Sequence, residues 1–217
     1  MPSIRRSAAI VAGPVLALLL ATTVVARPES PGDAEDTGAA GTDSPRHAHG
    51  TFVDATGATI GSVRLTEDRD GVVRVRVKVK GLTPGLHGIH GIHIHAVGSC
   101  DPVIPPAVGA PFFLAAGGHY NPDGHQHGLD NPAGPHAGDL PNLVVDEHGI
   151  GRLRAETDRV TLTDGPTTLF DSGVGSEGSA FIIHANPDNQ TTDVANGGPA
   201  NGNSGARIAC AVILPGR

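Results

Sequence analysis

The chain has no Trp, one Tyr, one Met, five Phe and only two Cys among 217 residues. So few large side chains leave a thin core for a domain of this length. No cysteine stands directly after the N-terminal apolar run, so lipid attachment at a new N-terminal Cys is unsupported. No long segment carries a helical period, so a helical fold is excluded as well. Basic residues are also in deficit, with Lys and Arg numbering 15 against 22 acids and a formal charge of −7. That balance argues against nucleic acid or an anionic membrane surface as partner.

At the N-terminus, Arg5 and Arg6 precede an apolar run from Ala8 to about Ala26 that ends on small residues. This has the form of a secretory signal peptide over 1–26, and Pro14 with the short run speaks against a retained membrane anchor. Residues 27–48 are rich in Pro, Gly, Asp and Ser and are expected to be a disordered linker, with His47 and His49 as solvated histidines at its end. A folded domain over 49–217 follows. Export places the chain outside the cytoplasm, secreted or in the periplasm or cell envelope, where Cys100 and Cys210 are expected to form a disulfide.

From Gly50 the pattern alternates with period two. Val73, Val75, Val77 and Val79 interleave with Arg74, Arg76, Lys78 and Lys80, which describes a half-buried antiparallel strand. Further strands are expected at 51–55, 59–65, 89–96, 143–146, 151–155, 160–162, 180–184 and 206–214. The fold class is all-β, a sandwich or barrel of about eight strands. Two long stretches, 101–142 and 185–205, do not fit this alternation and are expected to be functional loops.

Ten of the twelve histidines fall between His87 and His184. Neutral imidazole is the commonest metal ligand, and its second nitrogen stays available for another partner. His93 and His95, two apart on a strand, share a face and can hold one ion together. His119, His127, His136 and Asp139 supply three nitrogens and a carboxylate from one loop, a closed set suited to zinc. The nitrogen-only set of His93, His95, His119 and His184 suits copper. His119 stands in both sets, and an imidazolate can join two metals. His87, His90 and His125 are rival ligands, and His148 reads as a solvated turn residue.

These motifs, in order, resemble the copper–zinc superoxide dismutases of the bacterial secreted or periplasmic type. The resemblance runs from about residue 50 to 214 through GIHGIHIHAVGSC (88–100), GGHYNP (117–122), H-x7-H-x8-H-x2-D (119–139), GDLPN (138–142), FIIHANPD (181–188) and GNSGARIACAVI (202–213). It implies a Greek-key β-sandwich with long metal-binding loops, one copper and one zinc per subunit, and dismutation of superoxide to oxygen and hydrogen peroxide. By resemblance, copper is held by His93, His95, His119 and His184, and zinc by His119, His127, His136 and Asp139. Asp188 resembles the carboxylate that links a copper histidine to a zinc histidine. Arg207, with His119, resembles the family's catalytic machinery, and Cys100 with Cys210 its internal disulfide.

Family spacing makes His90 a structural histidine and favours His127 over His125. The sequence departs from the pattern in its repeated Gly-Ile-His at 88–93 and in an insertion over 101–118. Superoxide is the expected small-molecule partner, with no nucleic acid and no stable membrane insertion once the signal is removed; a homodimer stays open. The alternative function is a secreted copper/zinc-binding module without catalysis, against which all seven ligand positions and Arg207 are filled.

Overall fold

Alternation of small branched residues with polar ones builds a sheet that curls back on itself. The computed structural model describes residues 46–82, 87–101, 112–170, 178–191 and 201–216. The expected signal peptide and nearly all of the expected linker lie outside these residues, as does most of the 101–118 insertion.

Ten strands are present: β1 (Arg46–Asp54), β2 (Thr59–Glu67), β3 (Val73–Lys80), β4 (Gly88–His90), β5 (Ile92–His95), β6 (Leu143–Val145), β7 (Ile150–Thr157), β8 (Ala180–His184), β9 (Arg207–Val212) and β10 (Leu214–Pro215). They form one antiparallel sheet in the order β4-β6-β7-β3-β2-β1-β9-β8-β5, with β10 beside β1. Its two outermost strands, β4 and β5, are consecutive in the chain and separated only by Gly91. The Gly91 N–H donates to Asn186 O at 2.8 Å and its carbonyl accepts from His184 N–H at 2.8 Å. One length of backbone therefore pairs with β6 before Gly91 and with β8 after it, and the sheet becomes a nearly closed barrel with little exposed edge.

The expected strand over 89–96 is thus divided where it changes partner, and the expected strand over 206–214 is divided between β9 and β10. Counting each divided pair as one bent strand gives the eight expected. The segment 160–162 forms no strand. It is a loop closed on itself by an isolated bridge, Thr161 to Thr168, with Val160 and Leu162 buried in the core and with buried Glu67 accepting from Thr161 Oγ1 at 2.7 Å and Leu162 N–H at 2.9 Å. β1 begins at Arg46, so His47 and His49 are exposed, as expected, but stand on a strand.

The barrel interior is filled by Val63, Leu65, Val73, Val75, Val77 and Val79 from β2 and β3, with Phe52, Ile94 and Phe181 facing them. Phe52 and Phe181 meet edge to face at 6.3 Å, an arrangement that adds roughly 1 kcal/mol to their burial. A smaller cluster lies on the far side of β8 and β9, where Phe113, Ala116, Ala180 and Ile182 surround Cys210. A 3-10 turn over Leu114–Ala116 brings Phe113 into that cluster. The same place holds the Cys100–Cys210 disulfide, which spans 110 residues.

A closed loop of that length should stabilise the fold by about 4 to 5 kcal/mol in the chain-entropy model. Replacing both cysteines by serine should remove most of this, read as the drop in urea unfolding free energy of the metal-free protein. A loss below about 1 kcal/mol would show that the Phe113 cluster holds the loop without the covalent link.

Candidate metal centre

The centre is built along the free edge of β5. One edge of β5 pairs with β8, while the other takes up loop backbone. Ile94 accepts from Tyr120 N–H at 2.8 Å and donates to Gly138 O at 2.9 Å, and Ala96 N–H donates to Gly118 O at 2.9 Å. These bonds set His119 opposite His95 and Asp139 opposite His93. A side chain at Gly138 would collide with the Ile94 carbonyl, so the close approach requires glycine there. His184 arrives at the end of β8, where the register with β9 shifts.

Four nitrogens define the first half of the site. His93 Nδ1, His95 Nε2, His119 Nε2 and His184 Nε2 are buried and have no hydrogen-bond partner. Each of these four residues offers a ligand atom within 4.8 Å of the others. The remaining nitrogen of each ring is engaged. His93 Nε2–H donates to Asp188 Oδ2 at 2.7 Å, His95 Nδ1–H to Gly117 O at 2.9 Å and His184 Nδ1–H to Gly205 O at 3.1 Å. These bonds fix the tautomers and leave the lone pairs facing one another, an arrangement suited to a metal ion. Burial, reinforced by neighbouring imidazoles, pushes His119 down to about 3 and His184 to about 2. His95 is likewise held well below its ordinary value, by burial first and then by His119 and Arg207. All three are therefore neutral, with a lone pair to offer.

Around Asp139 the second half assembles. Its Oδ1 lies 3.0 Å from His119 Nδ1, 3.1 Å from His127 Nδ1 and 3.3 Å from His136 Nδ1. Its Oδ2 accepts backbone N–H bonds from Gly128 at 2.8 Å and His136 at 3.0 Å. The carboxylate is thereby oriented with one oxygen toward three ring nitrogens, a donor set that fits zinc. Burial would raise the Asp139 pKa, but the three imidazoles outweigh it and hold the group far below the carboxylate range. Distance alone also groups His93 with His119, His127 and Asp139. His93 Nε2 is committed to Asp188, however, so its free lone pair belongs with His95 and His184. His136 Nδ1, 3.3 Å from His119 Nδ1, completes the second set.

Asp188 joins the halves, accepting from His93 on one oxygen and from His127 Nε2–H on the other at 3.0 Å. Against the opposing effect of burial, Asp139 and Asp188 together push His127 up to about 9. Asn142 aims Asp188: its side chain donates to Asp188 O at 2.8 Å and accepts from Asp188 N–H at 2.9 Å. Arg159 donates from Nη2 to Asp139 O at 2.7 Å. The sequence assigned neither Asn142 nor Arg159 a role. Asn142 stood in a quoted motif, but its partner is 46 residues away.

The mouth of the site is a cavity of about 430 Å³ lined by His95, His119, His184, Asn201 and Arg207. Arg207 is fixed there by two carbonyls, with Nη1 donating to Phe113 O at 2.6 Å and Nη2 to Gly117 O at 2.5 Å. Gly117 O thus serves both Arg207 and His95. Every residue expected at the site is brought to it, and the rivals fall away. His90 is buried and donates to His184 O at 2.8 Å, while His87, His125 and His148 are exposed.

Residues 59–213 match the copper/zinc superoxide dismutase (SODC) family. Cu-Zn superoxide dismutase 2 of Aquifex aeolicus (strain VF5) is 40% identical over 76% of this chain and 85% of its own length. Superoxide dismutase-like protein YojM of Bacillus subtilis (strain 168) is 34% identical over 76% of this chain and 75% of its own. Among solved structures, a double mutant of a SOD-like protein from Bacillus subtilis superposes with a TM-score of 0.63 at 36% identity, covering 76% of this chain and 96% of that one. The clock protein EA4 gives 0.59 at 30% identity, covering 78% and 94%. With the motifs, the fold and the buried donor sets in agreement, the chain belongs to the copper/zinc superoxide dismutase family.

Proposed function

We propose that this chain converts superoxide to molecular oxygen and hydrogen peroxide at a copper held by His93, His95, His119 and His184. In this reading zinc would be held by His119, His127, His136 and Asp139, with His119 the residue common to both donor sets. The observation that carries the reading is the set of four partnerless buried nitrogens, each on a ring whose other nitrogen is occupied. Leaving four such atoms buried without a ligand would cost about 1 to 3 kcal/mol each. When bound, copper supplies the one-electron oxidation and reduction of superoxide, and zinc fixes the geometry of its ligands.

The chain's own groups do the rest. Arg207 presents a permanent cation at the mouth, and its two carbonyl bonds hold the guanidinium in place while leaving N–H groups for an anion. His119 lines the cavity, and its ring would carry a proton at Nε2 whenever that nitrogen is not engaged by the metal, a proton it could pass to the departing product. Asp188 keeps His93 and His127 in fixed tautomers, so both halves of the site hold their shape together. The disulfide supports a location in an oxidising compartment outside the cytoplasm; export by residues 1–26 and a tether over 27–48 belong to this same proposal. One copper and one zinc per subunit follow from the two donor sets. The relatives include proteins named only superoxide dismutase-like, so a metal-holding role without catalysis is the competing reading. The complete donor sets together with Arg207 favour the enzyme.

Replacing His184 by Ala should abolish copper binding and dismutase activity while zinc stays bound, as read by elemental analysis beside a superoxide assay. Retained activity would overturn the ligand assignment. Arg207→Ala should lower the rate roughly 10-fold or more while both metals stay bound; loss of both metals would make Arg207 a structural residue instead.

Proton counting tests the zinc half. His127, raised to about 9 from 6.5, is protonated at neutral pH in the metal-free chain. Its charge therefore stabilises the metal-free fold fully below 6.5, and that contribution is lost as pH rises through about 9. Zinc needs the Nδ1 lone pair, so zinc uptake at about pH 7.5 should release about one proton, seen as a buffer-dependent binding enthalpy. No release at that pH would remove His127 from the zinc set.

A further inference from the structure

Lys and Arg are scarce in this chain, yet they are concentrated on one face. Seven of its 15 stand on three adjacent strands: Arg64 on β2, Arg74, Arg76, Lys78 and Lys80 on β3, and Arg152 and Arg154 on β7. All seven are exposed. Glu156 is the one acid projecting from the same face of those strands.

The pairing registers set the cations directly against one another. His49 pairs with Arg64, Arg64 with Arg76, and Arg76 with Arg154, giving a row across four strands. Beside it, Lys78 pairs with Arg152. Like charges opposite one another on a sheet are unfavourable, and among the described residues no acid compensates this row. Arg74 is tied to Asp68 and Glu156, each at 2.9 Å, and Arg152 lies 3.8 Å from Asp146. Arg64, Arg76, Arg154, Lys78 and Lys80 have no ion pair with any described acid. An open hollow of about 570 Å³ adjoins the row, lined by His47, Arg64, Thr66, Arg74 and Arg76.

We propose that this face binds a flexible phosphate polymer through Arg64, Arg76 and Arg154. Neighbouring strands are about 4.8 Å apart and alternate residues along a strand about 6.7 Å, so the cations form a grid that meets successive anions rather than a pocket converging on one. Guanidinium forks match phosphate oxygens two at a time. The face belongs to a twisted, nearly closed barrel, so its side chains fan outward. A flat bilayer would reach only the crest, whereas a flexible chain can follow the row. With a net charge of −7, the protein as a whole repels polyanions, and binding must be local to such a face. In the strand order, β2, β3 and β7 lie in the middle, while β5 and β8, which carry His93, His95 and His184, lie at the end. A polymer on the cationic face therefore leaves the metal-site mouth open.

The metal-loaded full chain should bind inorganic polyphosphate in a fluorescence anisotropy titration. Engaging three phosphates at a slope of about −0.7 per contact gives roughly a 20-fold loss of affinity between 50 and 200 mM salt; salt-independent binding would overturn the proposal. The triple variant Arg64→Gln, Arg76→Gln, Arg154→Gln should lose binding at least 10-fold while keeping wild-type metal content and dismutase rate, which also reports that it folds. Arg74→Gln, whose cation is already paired, should change affinity less than 2-fold. Unchanged binding in the triple variant, or an equal loss in Arg74→Gln, would place the contact elsewhere. Anionic phospholipid vesicles captured at lower phosphate concentration than polyphosphate would overturn the polymer in favour of a membrane.

Discussion

Burying six imidazoles against one another is feasible only if each is held in one protonation state and one tautomer, and two carboxylates do most of that work. Asp139 collects the Nδ1 atoms of His119, His127 and His136, and Asp188 takes the Nε2 atoms of His93 and His127. The two acids carry charge into a region where burial opposes it, and the hydrogen bonds they accept outweigh that cost. Around them His95, His119 and His184 stay neutral for the opposite reason, because nothing there outweighs burial. The result is that the lone pairs of His93, His95, His119 and His184 are aimed before any ion arrives.

That aiming depends on where the barrel closes. The strand that joins the two ends of the sheet also carries His90, His93 and His95, and its free edge holds the loop bearing His119 and Asp139. The site is thus built on the seam of the barrel, where backbone groups left over from sheet pairing are available to bind a loop. Phe113 and the disulfide anchor the other end of the arrangement, and the carbonyls of Phe113 and Gly117 fix Arg207. A chain poor in aromatic residues relies on a covalent link and, in the proposed function, on metal coordination for order that a larger core would otherwise supply.

Much of this was legible in the residues. The alternation in β3 appears as written, because a strand with one wet face imposes period two on its own sequence. The histidine spacing singled out the rings that converge, since side chains two apart on a strand share a face. Contacts made by a side chain with distant backbone were not legible. Asn142 could be paired with Asp188, or Arg159 with the carbonyl of Asp139, only once the loops had been folded onto β5. The break at Gly91 was hidden for a similar reason, since a strand that changes partners keeps its local pattern. The segment 160–162 has strand-like residues but lacks a continuous partner, and propensity alone cannot supply one. Overall charge concealed the cationic face, because a sum over the chain says nothing of how registers align.

The Gly117 carbonyl has a consequence for how this protein can change. It accepts from Arg207 and from His95 at once, so in the proposed function the group that would meet an incoming anion and a ring that would hold the metal share one acceptor. A substitution that shifts this peptide to improve capture would also rotate the imidazole, altering the electron affinity of whatever that ring holds. In the proposed function, attraction of substrate and redox tuning would therefore not be independent traits, and improvement in either would have to pass through sequence changes that respect both.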